Sequence, residues 1–201
     1  MHLLSGIKTK SVEKIFYLHN LLFFSEERAI PTHLTEREKL QLFLLAKNVQ
    51  GECLVEIGSY LGASSSFIAA GIRSTNNPNG KLFCVDTWTN IAMPEAQRDT
   101  FEDFINNTRK SRNQIVTIRS DSKEAACSFS QPVSFLFIDA DHSYEGVRGD
   151  VEAWFPLLRP GAIVVFHDIG WAPGVQQVIR EFVTQKALKE GNLPNMYWAR
   201  I

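Results

Sequence analysis

The stretch LVEIGSYLGASSSFIAA, from Leu54 to Ala70, constrains the fold of this chain more than any other. An apolar run carries Glu56 near its end, the chain turns through Gly58 and Gly62, and a segment of small residues follows. This order is typical of the first strand, loop and helix of a Rossmann-like sheet, in which ligands bind at the carboxyl ends of the strands. Two glycines alone would also fit an ordinary strand-to-helix turn.

The chemistry of this turn separates two kinds of cofactor. A dinucleotide site needs a middle glycine, so that the backbone can approach a pyrophosphate at the helix N-terminus. Tyr60 stands at that position. The carboxylate of Glu56 would repel a pyrophosphate but suits a cofactor that carries an ammonium group. These residues favour S-adenosylmethionine over NAD.

Two further strand ends supply polar side chains. The run KLFCVD delivers Asp86, where a carboxylate can accept hydrogen bonds from ribose hydroxyls. Ser120 and Asp121 end the third predicted strand and offer the acceptor and the donor that an adenine ring requires. Asp121 can also cap the helix that follows, and the two roles are compatible.

From Cys53 onward, short apolar runs alternate with helical stretches. The predicted strands are Cys53 to Ile57, Lys81 to Val85, Ile115 to Ile118, Ser134 to Ile138 and Ala162 to Phe166, and the helices start near Ala63, Thr100, Lys123, Tyr144 and Gly174. Such alternation predicts parallel strands with right-handed crossovers. The predicted fold class is therefore α/β, a Rossmann-like three-layer αβα sandwich with a mostly parallel sheet. Beyond a helix ending near Lys189, Met196 to Arg200 is the one plausible strand and is expected to be antiparallel.

Residues 1–50 are predicted to form a helical extension, and residues 51–201 the cofactor-binding domain. Val12 to Phe24 carries a wide apolar face that suggests a homodimer. Thr35 followed by Glu38 is a capping-box signature for a second helix. These helices could cover the sheet edge, close over a substrate or bury a dimer contact.

Composition excludes several partners. The chain has 201 residues, 44% hydrophobic content and a formal net charge of −1, and no Lys/Arg stripe is interleaved with aromatic residues, so nucleic acid is not an expected partner. No apolar run has the length of a membrane span and no signal-peptide pattern is present. The three cysteines, Cys53, Cys84 and Cys127, are isolated and are expected to be small buried residues in a reducing compartment. A cytoplasmic location is expected.

A second group of polar residues follows the fourth and fifth predicted strands. Asp139 and His142 follow the fourth, and His167 and Asp168 end the fifth. Carboxylates are ligands for hard divalent cations, so Asp139 and Asp168 are candidate Mg²⁺ ligands. His167 is a candidate third ligand that would shift the preference towards Mn²⁺ or another transition metal. His142 has the side-chain chemistry of a general base near neutral pH.

Each of these residues has a structural alternative. Asp139 could contact the cofactor, His142 could belong to loop structure, and His167 could be a packed histidine. Trp171 could form a wall of the substrate pocket or anchor a loop. The long segment from Thr87 to Asn113 could shape that pocket or be a surface elaboration.

The segments VEIGSYLGASS, VDTW, FIDADHSYEGV and VVFHDI together resemble the class I S-adenosylmethionine-dependent methyltransferases. Within them, the chain is similar to a bacterial group that includes macrolide sugar O-methyltransferases and cephalosporin-hydroxylase-like proteins. The resemblance runs from Gly51 to Gln185 and implies a parallel sheet closed by an antiparallel hairpin strand. The predicted cofactor-binding residues are Glu56, Gly58, Ser59, Gly62, Asp86, Ser120, Asp121 and Asp139.

In metal-dependent relatives, the acid that opens the fourth-strand motif and an acidic pair after the fifth strand bind Mg²⁺. Asp139 matches the first position, and His167 and Asp168 occupy the pair, so that His167 replaces a carboxylate. His142 matches the histidine that resembles the base in the macrolide enzymes. The short C-terminal segment is expected to lack one of the last strands of the family.

The sequence therefore predicts an S-adenosylmethionine-dependent O-methyltransferase that acts on a hydroxyl of a small molecule or sugar, assisted by Mg²⁺ or Mn²⁺. Two alternatives remain open. One is a cofactor-binding protein of the same fold without transferase activity, since fold does not fix function. The other is an NAD-dependent oxidoreductase, which Tyr60 and Glu56 disfavour.

Overall fold

One seven-stranded sheet organises the computed structural model, which describes residues 24–75, 79–89 and 97–201. The strands are β1 (Cys53–Ile57), β2 (Lys81–Asp86), β3 (Ile115–Arg119), β4 (Val133–Ile138), β5 (Leu158–His167), β6 (Lys189–Leu193) and β7 (Met196–Arg200). Their order across the sheet is β3-β2-β1-β4-β5-β7-β6. Strands β1 to β5 pair in parallel, and β7 runs antiparallel to both β5 and β6. The predicted α/β class is confirmed.

Helices cover both faces of this sheet. They are α1 (Ser25–Ala29), α2 (Glu36–Lys47), α3 (Ala63–Arg73), α4 (Phe101–Asn107), α5 (Ser122–Ser128), α6 (Tyr144–Trp154) and α7 (Pro173–Val178). A π-helical turn, Ile179–Val183, and 3₁₀ turns at Arg109–Ser111, Phe155–Leu157 and Thr184–Lys186 complete the helical structure of the described residues.

Alternation along the strands sorts the core into two layers. In β1, Val55 faces the cluster that contains Trp154 of α6, whereas Leu54 faces the cluster that contains Leu42 of α2. Successive side chains of a strand point to opposite faces, so a strand buried on both sides is apolar throughout. The αβα sandwich follows from this pattern.

The described part of the N-terminal extension packs on α3. The predicted capping box is confirmed, because the Thr35 hydroxyl accepts a hydrogen bond from the Glu38 backbone N–H while the Glu38 side chain accepts one from the Thr35 backbone. Phe43 of α2 packs with Phe67 of α3 in an apolar cluster. The predicted helix over residues 12–23 lies outside the described residues. The homodimer and the domain boundary at residue 50 stay predictions.

The C-terminal segment corrects one expectation. It contains two strands, not one, because Lys189–Leu193 forms β6 and pairs with β7. The sequence KEGNL is polar and lacks strand alternation, and it lies at the edge of the sheet, where one partner strand is enough. The family's closing hairpin is therefore complete.

Cys127 also departs from the prediction. Cys53 and Cys84 are buried in β1 and β2, whereas Cys127 is exposed. Among the described residues, no helix is long and apolar enough to cross a membrane.

The strand order places a crevice at the end of β1. Its neighbours are β2 and β4, whose connections leave the sheet on opposite sides, and ligands of open α/β sheets bind at such a switch point. The Gly58 N–H donates to the carbonyl of Val85 at 3.0 Å, and the Asp139 N–H donates to the carbonyl of Ile57 at 2.9 Å. Three strand ends are thus held together around the crevice.

Candidate active site

The turn after β1 adopts a backbone conformation that glycine favours. Gly58 and Gly62 have positive φ values of 84° and 89°. A Cβ atom on Gly58 would collide with the backbone carbonyl of Asp139. The glycine therefore permits close approach of the loops that follow β1 and β4, as well as the turn itself.

Asp86 fixes this turn from the end of β2. Its Oδ2 accepts hydrogen bonds from the backbone N–H groups of Ser59 and Tyr60, both at 2.9 Å, and its Oδ1 accepts one from the N–H of Trp88 at 2.7 Å. A carboxylate offers about four acceptor positions, so one remains for a ligand. Asp86 also lines the cavity described next.

A first cavity of about 430 Å³ opens above the ends of β1 to β4. Its walls include six of the predicted site residues: Gly58, Asp86, Ser120, Asp121, Asp139 and His142. Its volume falls within the range of small-molecule sites.

The polar residues after β3, Ser120 and Asp121, make local hydrogen bonds and also line the first cavity. Asp121 caps α5 by accepting a hydrogen bond from the Lys123 backbone N–H at 2.9 Å. The Ser120 N–H donates to the Asp86 carbonyl at 3.1 Å. Both residues still line the first cavity, as expected for residues with two roles.

Glu56 lies at the end of β1, as predicted, next to the last residue of the strand. It is fully buried, lines neither cavity described here, and accepts hydrogen bonds from the hydroxyls of Ser59, at 2.8 Å, and Ser65. Burial raises the pKa of this carboxyl group. The structure therefore places Glu56 beneath the glycine turn with Oε1 without a hydrogen-bond partner among the described residues, and the expected contact with a cofactor ammonium group stays a prediction.

Asp150 is a residue that the sequence interpretation missed. It lines the first cavity from α6, yet it is only 4% exposed, and burial raises its pKa to about 6. Val147, Asp150, Val151 and Trp154 form the buried stripe of α6. An acid within an apolar helical stripe was the signal that could have identified it.

A second cavity of about 410 Å³ lies beside the first. Thr32, His33 and Leu34, which precede α2, form one wall, and His167, Asp168 and Trp171 belong to the opposite one. Gly62 and Ser64, at the start of α3, also line it. Asp139 and His142 line both cavities, so the two spaces meet at these side chains.

Asp168 lies at the centre of a hydrogen-bond network. Its carboxylate accepts hydrogen bonds from His142 Nε2 at 2.7 Å, Trp171 Nε1 at 2.7 Å and Asn195 Nδ2 at 2.9 Å. His167 Nδ1 lies 3.2 Å from the same group. These donors outweigh the opposing effect of burial and lower the pKa of Asp168. Its backbone has φ of 62°, an uncommon conformation for an aspartate that occurs at strained functional sites.

The two ring nitrogens of His142 have different surroundings. Its Nε2 faces Asp168, and because a carboxylate only accepts, this nitrogen carries the hydrogen and Nδ1 is left to accept a proton. The hydrogen bond to Asp168 raises the pKa of His142 despite partial burial. The ring also lies 4.8 Å from the indole of Trp171. An imidazole oriented by a carboxylate is the arrangement of a general base.

His167 is buried behind the two acids. Its Nδ1 lies 3.2 Å from Asp139 Oδ1 and 3.2 Å from Asp168 Oδ1, and its Nε2 lies 3.6 Å from Glu38 Oε2. Burial opposes its charge, but these three carboxylates prevail and raise its pKa to about 12. The three carboxylates therefore favour the protonated form of the His167 ring.

The structure brings Asp139, His142 and Asp168 together as one candidate group of metal ligands. One ligand atom from each of these three residues lies within 4.8 Å of the others. Two carboxylates and an imidazole fit the donor preferences of Mg²⁺ or Mn²⁺. The predicted pair of acids is thus brought together, and His167, whose Nδ1 lies 3.2 Å from both of them, stays a predicted ligand.

The chain belongs to the methyltransferase domain family, whose sequence model matches residues 55–169. The predicted resemblance to class I methyltransferases is confirmed at this level. Family membership favours a methyltransferase over the NAD-dependent alternative.

Comparison with curated proteins finds the uncharacterized protein y4gI of Sinorhizobium fredii, which is 30% identical over 127 residues. The alignment covers 57% of this chain and 13% of that protein.

Solved methyltransferase structures share the fold. The O-methyltransferase NovP has a TM-score of 0.70 at 14% identity, with 84% of this chain and 81% of that chain covered. TomG from Streptomyces achromogenes, an O-methyltransferase in complex with SAM, has a TM-score of 0.63 at 18% identity, covering 84% and 81%. An O-methyltransferase from Bacillus cereus in complex with SAH has a TM-score of 0.64 at 16% identity, covering 92% and 90%. At these identities the likeness establishes the fold.

Proposed function

We propose that this protein transfers a methyl group from S-adenosylmethionine to a hydroxyl of a small molecule or sugar. The observation that carries the proposal is the position of His142, which lies where the two cavities meet and is oriented by Asp168. A base at that junction can reach a hydroxyl in one cavity while the methyl donor occupies the other.

The cofactor is assigned to the first cavity and the adjoining start of α3. Asp86 would accept hydrogen bonds from the ribose, and Ser120 and Asp121 would contact the adenine. Gly58 and Gly62 let the turn approach the methionine portion. Ser59 supplies the loop that Asp86 holds, and Asp139 closes the cofactor cavity towards the second one.

The acceptor is assigned to the second cavity. Its hydroxyl oxygen forms a bond to the methyl carbon as the bond from that carbon to sulfur breaks, and the electron pair leaves on sulfur to give S-adenosylhomocysteine. Nδ1 of His142 takes the hydroxyl proton. Since the sulfonium donor is already reactive, alignment of donor and acceptor supplies most of the acceleration.

A divalent cation is proposed as an aid to this reaction. Asp139 and Asp168 would hold it while Nδ1 of His142 stays free as the base, and a bound Mg²⁺ or Mn²⁺ would orient the acceptor oxygen and make its hydroxyl more acidic. His167, which contacts both acids from behind, would orient these carboxylates without ligating the cation.

The proposal is tested with the full chain, S-adenosylmethionine and a panel of hydroxyl acceptors that includes catechols, simple phenols and deoxysugar nucleotides. S-adenosylhomocysteine formation is measured with Mg²⁺, with Mn²⁺ and after EDTA treatment. We expect product with at least one acceptor and less product after EDTA.

Two results would contradict parts of the proposal. Tight S-adenosylmethionine binding by calorimetry, without product across the panel, would indicate a cofactor-binding protein without this activity. A rate unchanged by EDTA would contradict the role of the cation. The proposed base, His142 oriented by Asp168, would be unaffected by that result.

A further inference from the structure

Glu38 is a buried carboxylate that reaches the site from the N-terminal extension. It is only 2% exposed, and its Oε2 lies 3.6 Å from Nε2 of His167. The same oxygen accepts a hydrogen bond from the Thr35 backbone N–H at 2.7 Å. One atom therefore joins the start of α2 to the end of β5.

This contact lies on the far side of the imidazole ring of His167, where Asn195 Nδ2 also lies 3.4 Å from Nε2. The near side, Nδ1, lies 3.2 Å from both Asp139 and Asp168. Carboxylates therefore face the ring from both ends, and their attraction for the imidazole favours this ring orientation. A ring that turned would move Nδ1 away from both acids together.

The capping box alone does not account for a charge at this position. Glutamine closes a capping box as well as glutamate does. A buried carboxylate is costly unless a partner compensates it, and the imidazole of His167 is the partner present. The negative charge of Glu38 is therefore explained by its contact with His167.

The same residue also places a wall of the second cavity. Thr32, His33 and Leu34 line that cavity and immediately precede the capping box that Glu38 closes. The start of α2 thus contributes both to the acceptor space and to the charged groups beside it.

We propose that Glu38 is a positioning residue for methyl transfer, which acts through His167 to hold the carboxylates of Asp139 and Asp168 in their working arrangement. This inference rests on the proposed function. Glu38 lies outside residues 55–169, which the family model matches. The N-terminal extension is therefore part of the active site and not only a cover for the sheet.

The test compares Glu38→Gln, which keeps the capping geometry and removes the charge, with Thr35→Ala, which weakens the cap and keeps the charge. For each full chain, kcat and KM are measured with an acceptor found in the panel, together with the thermal unfolding midpoint. Crystal structures of the wild type and Glu38→Gln at one pH show the His167 ring and the two carboxylates. Glu38→Asp, which keeps the charge but withdraws the oxygen, is the second variant should Glu38→Gln fail to fold.

For Glu38→Gln we expect kcat to fall about 10- to 100-fold, the usual cost of losing an outer orienting partner, with KM for S-adenosylmethionine changed less than about threefold. The His167 ring turns and the carboxylates separate. For Thr35→Ala we expect a lower unfolding midpoint and a smaller loss of kcat than in Glu38→Gln, because the helix cap and one hydrogen bond to Glu38 Oε2 are lost while the carboxylate keeps its charge.

The inference is overturned if Glu38→Gln keeps its kcat, if kcat falls while the ring and carboxylates stay in place, or if Thr35→Ala loses as much kcat. Should the wild type methylate no acceptor, the proposed function fails separately. The role of Glu38 is then tested by the crystal structures of the wild type and Glu38→Gln alone. If the His167 ring and the carboxylates of Asp139 and Asp168 have not moved in the variant, the inference is overturned.

Discussion

The two cavities that meet at Asp139 and His142 are built in different ways. The first is shaped by backbone, since Asp86 holds the glycine turn through its N–H groups and Asp121 caps a helix. The second is shaped by charged and polar side chains from distant segments: Asp168 and Asn195 line it, and Glu38 contacts His167 in its wall. A cavity fixed by backbone contacts suits a cofactor that is the same in every reaction. A cavity lined by titratable side chains suits the step in which a proton is moved.

The largest effect should follow from removing the proton acceptor. His142→Gln keeps a polar side chain but has no basic nitrogen, so we expect kcat to fall about 10²- to 10⁴-fold, with S-adenosylmethionine affinity within about threefold of the wild type. Steady-state kinetics and calorimetry measure the two quantities. A variant that loses cofactor binding instead would show that the two cavities are not separate in function.

The reverse pattern is expected for Asp86. Asp86→Ala leaves the backbone N–H groups of Ser59 and Tyr60 without their acceptor, and charged hydrogen bonds of this kind contribute about 1.5 to 3 kcal/mol. S-adenosylmethionine affinity should fall about 10- to 100-fold, as measured by calorimetry. If affinity changes less than about threefold, Asp86 is not a cofactor contact.

A smaller loss of activity is expected when the hydrogen-bond network around Asp168 is weakened. Asn195→Ala removes one donor to Asp168 and the acceptor of the Gly170 N–H, so kcat should fall about 10-fold. Asn192→Ala in the same hairpin is the control, because that side chain is exposed and, among the described residues, donates a hydrogen bond only to the Leu193 carbonyl. Equal losses in both variants would mean that the hairpin acts through stability alone.

The smallest effect concerns the stability of the first cavity. The pKa of Asp150 is raised from 3.8 to about 6, so the folded state holds its proton between these values, and stability falls as the pH rises through that window. Asp150→Asn cannot ionise and should be more stable than the wild type by about 1 to 3 kcal/mol above pH 6. The gain should vanish near pH 4.

Thermal unfolding across this pH range measures the difference, and a shift of about 2 to 4 °C is expected for each kcal/mol in a chain of this size. A gain that is constant with pH would exclude ionisation of Asp150 as its cause.

The site could be predicted where it depends on local sequence. Asp86, Ser120 and Asp121 follow strands whose apolar runs are visible in the chain, and parallel strands present their carboxyl ends on one edge. Glu56 shows the limit of this reasoning. It was correctly placed in the first strand, but its side chain points beneath the turn, towards Ser59 and Ser65.

Distant contributors gave no such signal. Glu38 is visible in the sequence as a capping residue, and nothing local indicates that its oxygen also faces His167. Asn195 lies in a turn between two strands, of which the polar edge strand was not recognised. Asp150, by contrast, is visible as an acid within the apolar stripe of α6, but only the packing of that helix places it at the first cavity.

By itself, the sequence determined the layered α/β architecture and the ends of the strands at which polar groups gather, because strand periodicity, glycine turns and helix caps act over a few neighbouring residues. The tertiary structure decided how the two histidines lie, with His142 where the two cavities meet and His167 between Asp139, Asp168 and Glu38. That choice depends on Glu38 and Asn195, whose chain segments meet β5 only after the sheet and its flanking helices have packed.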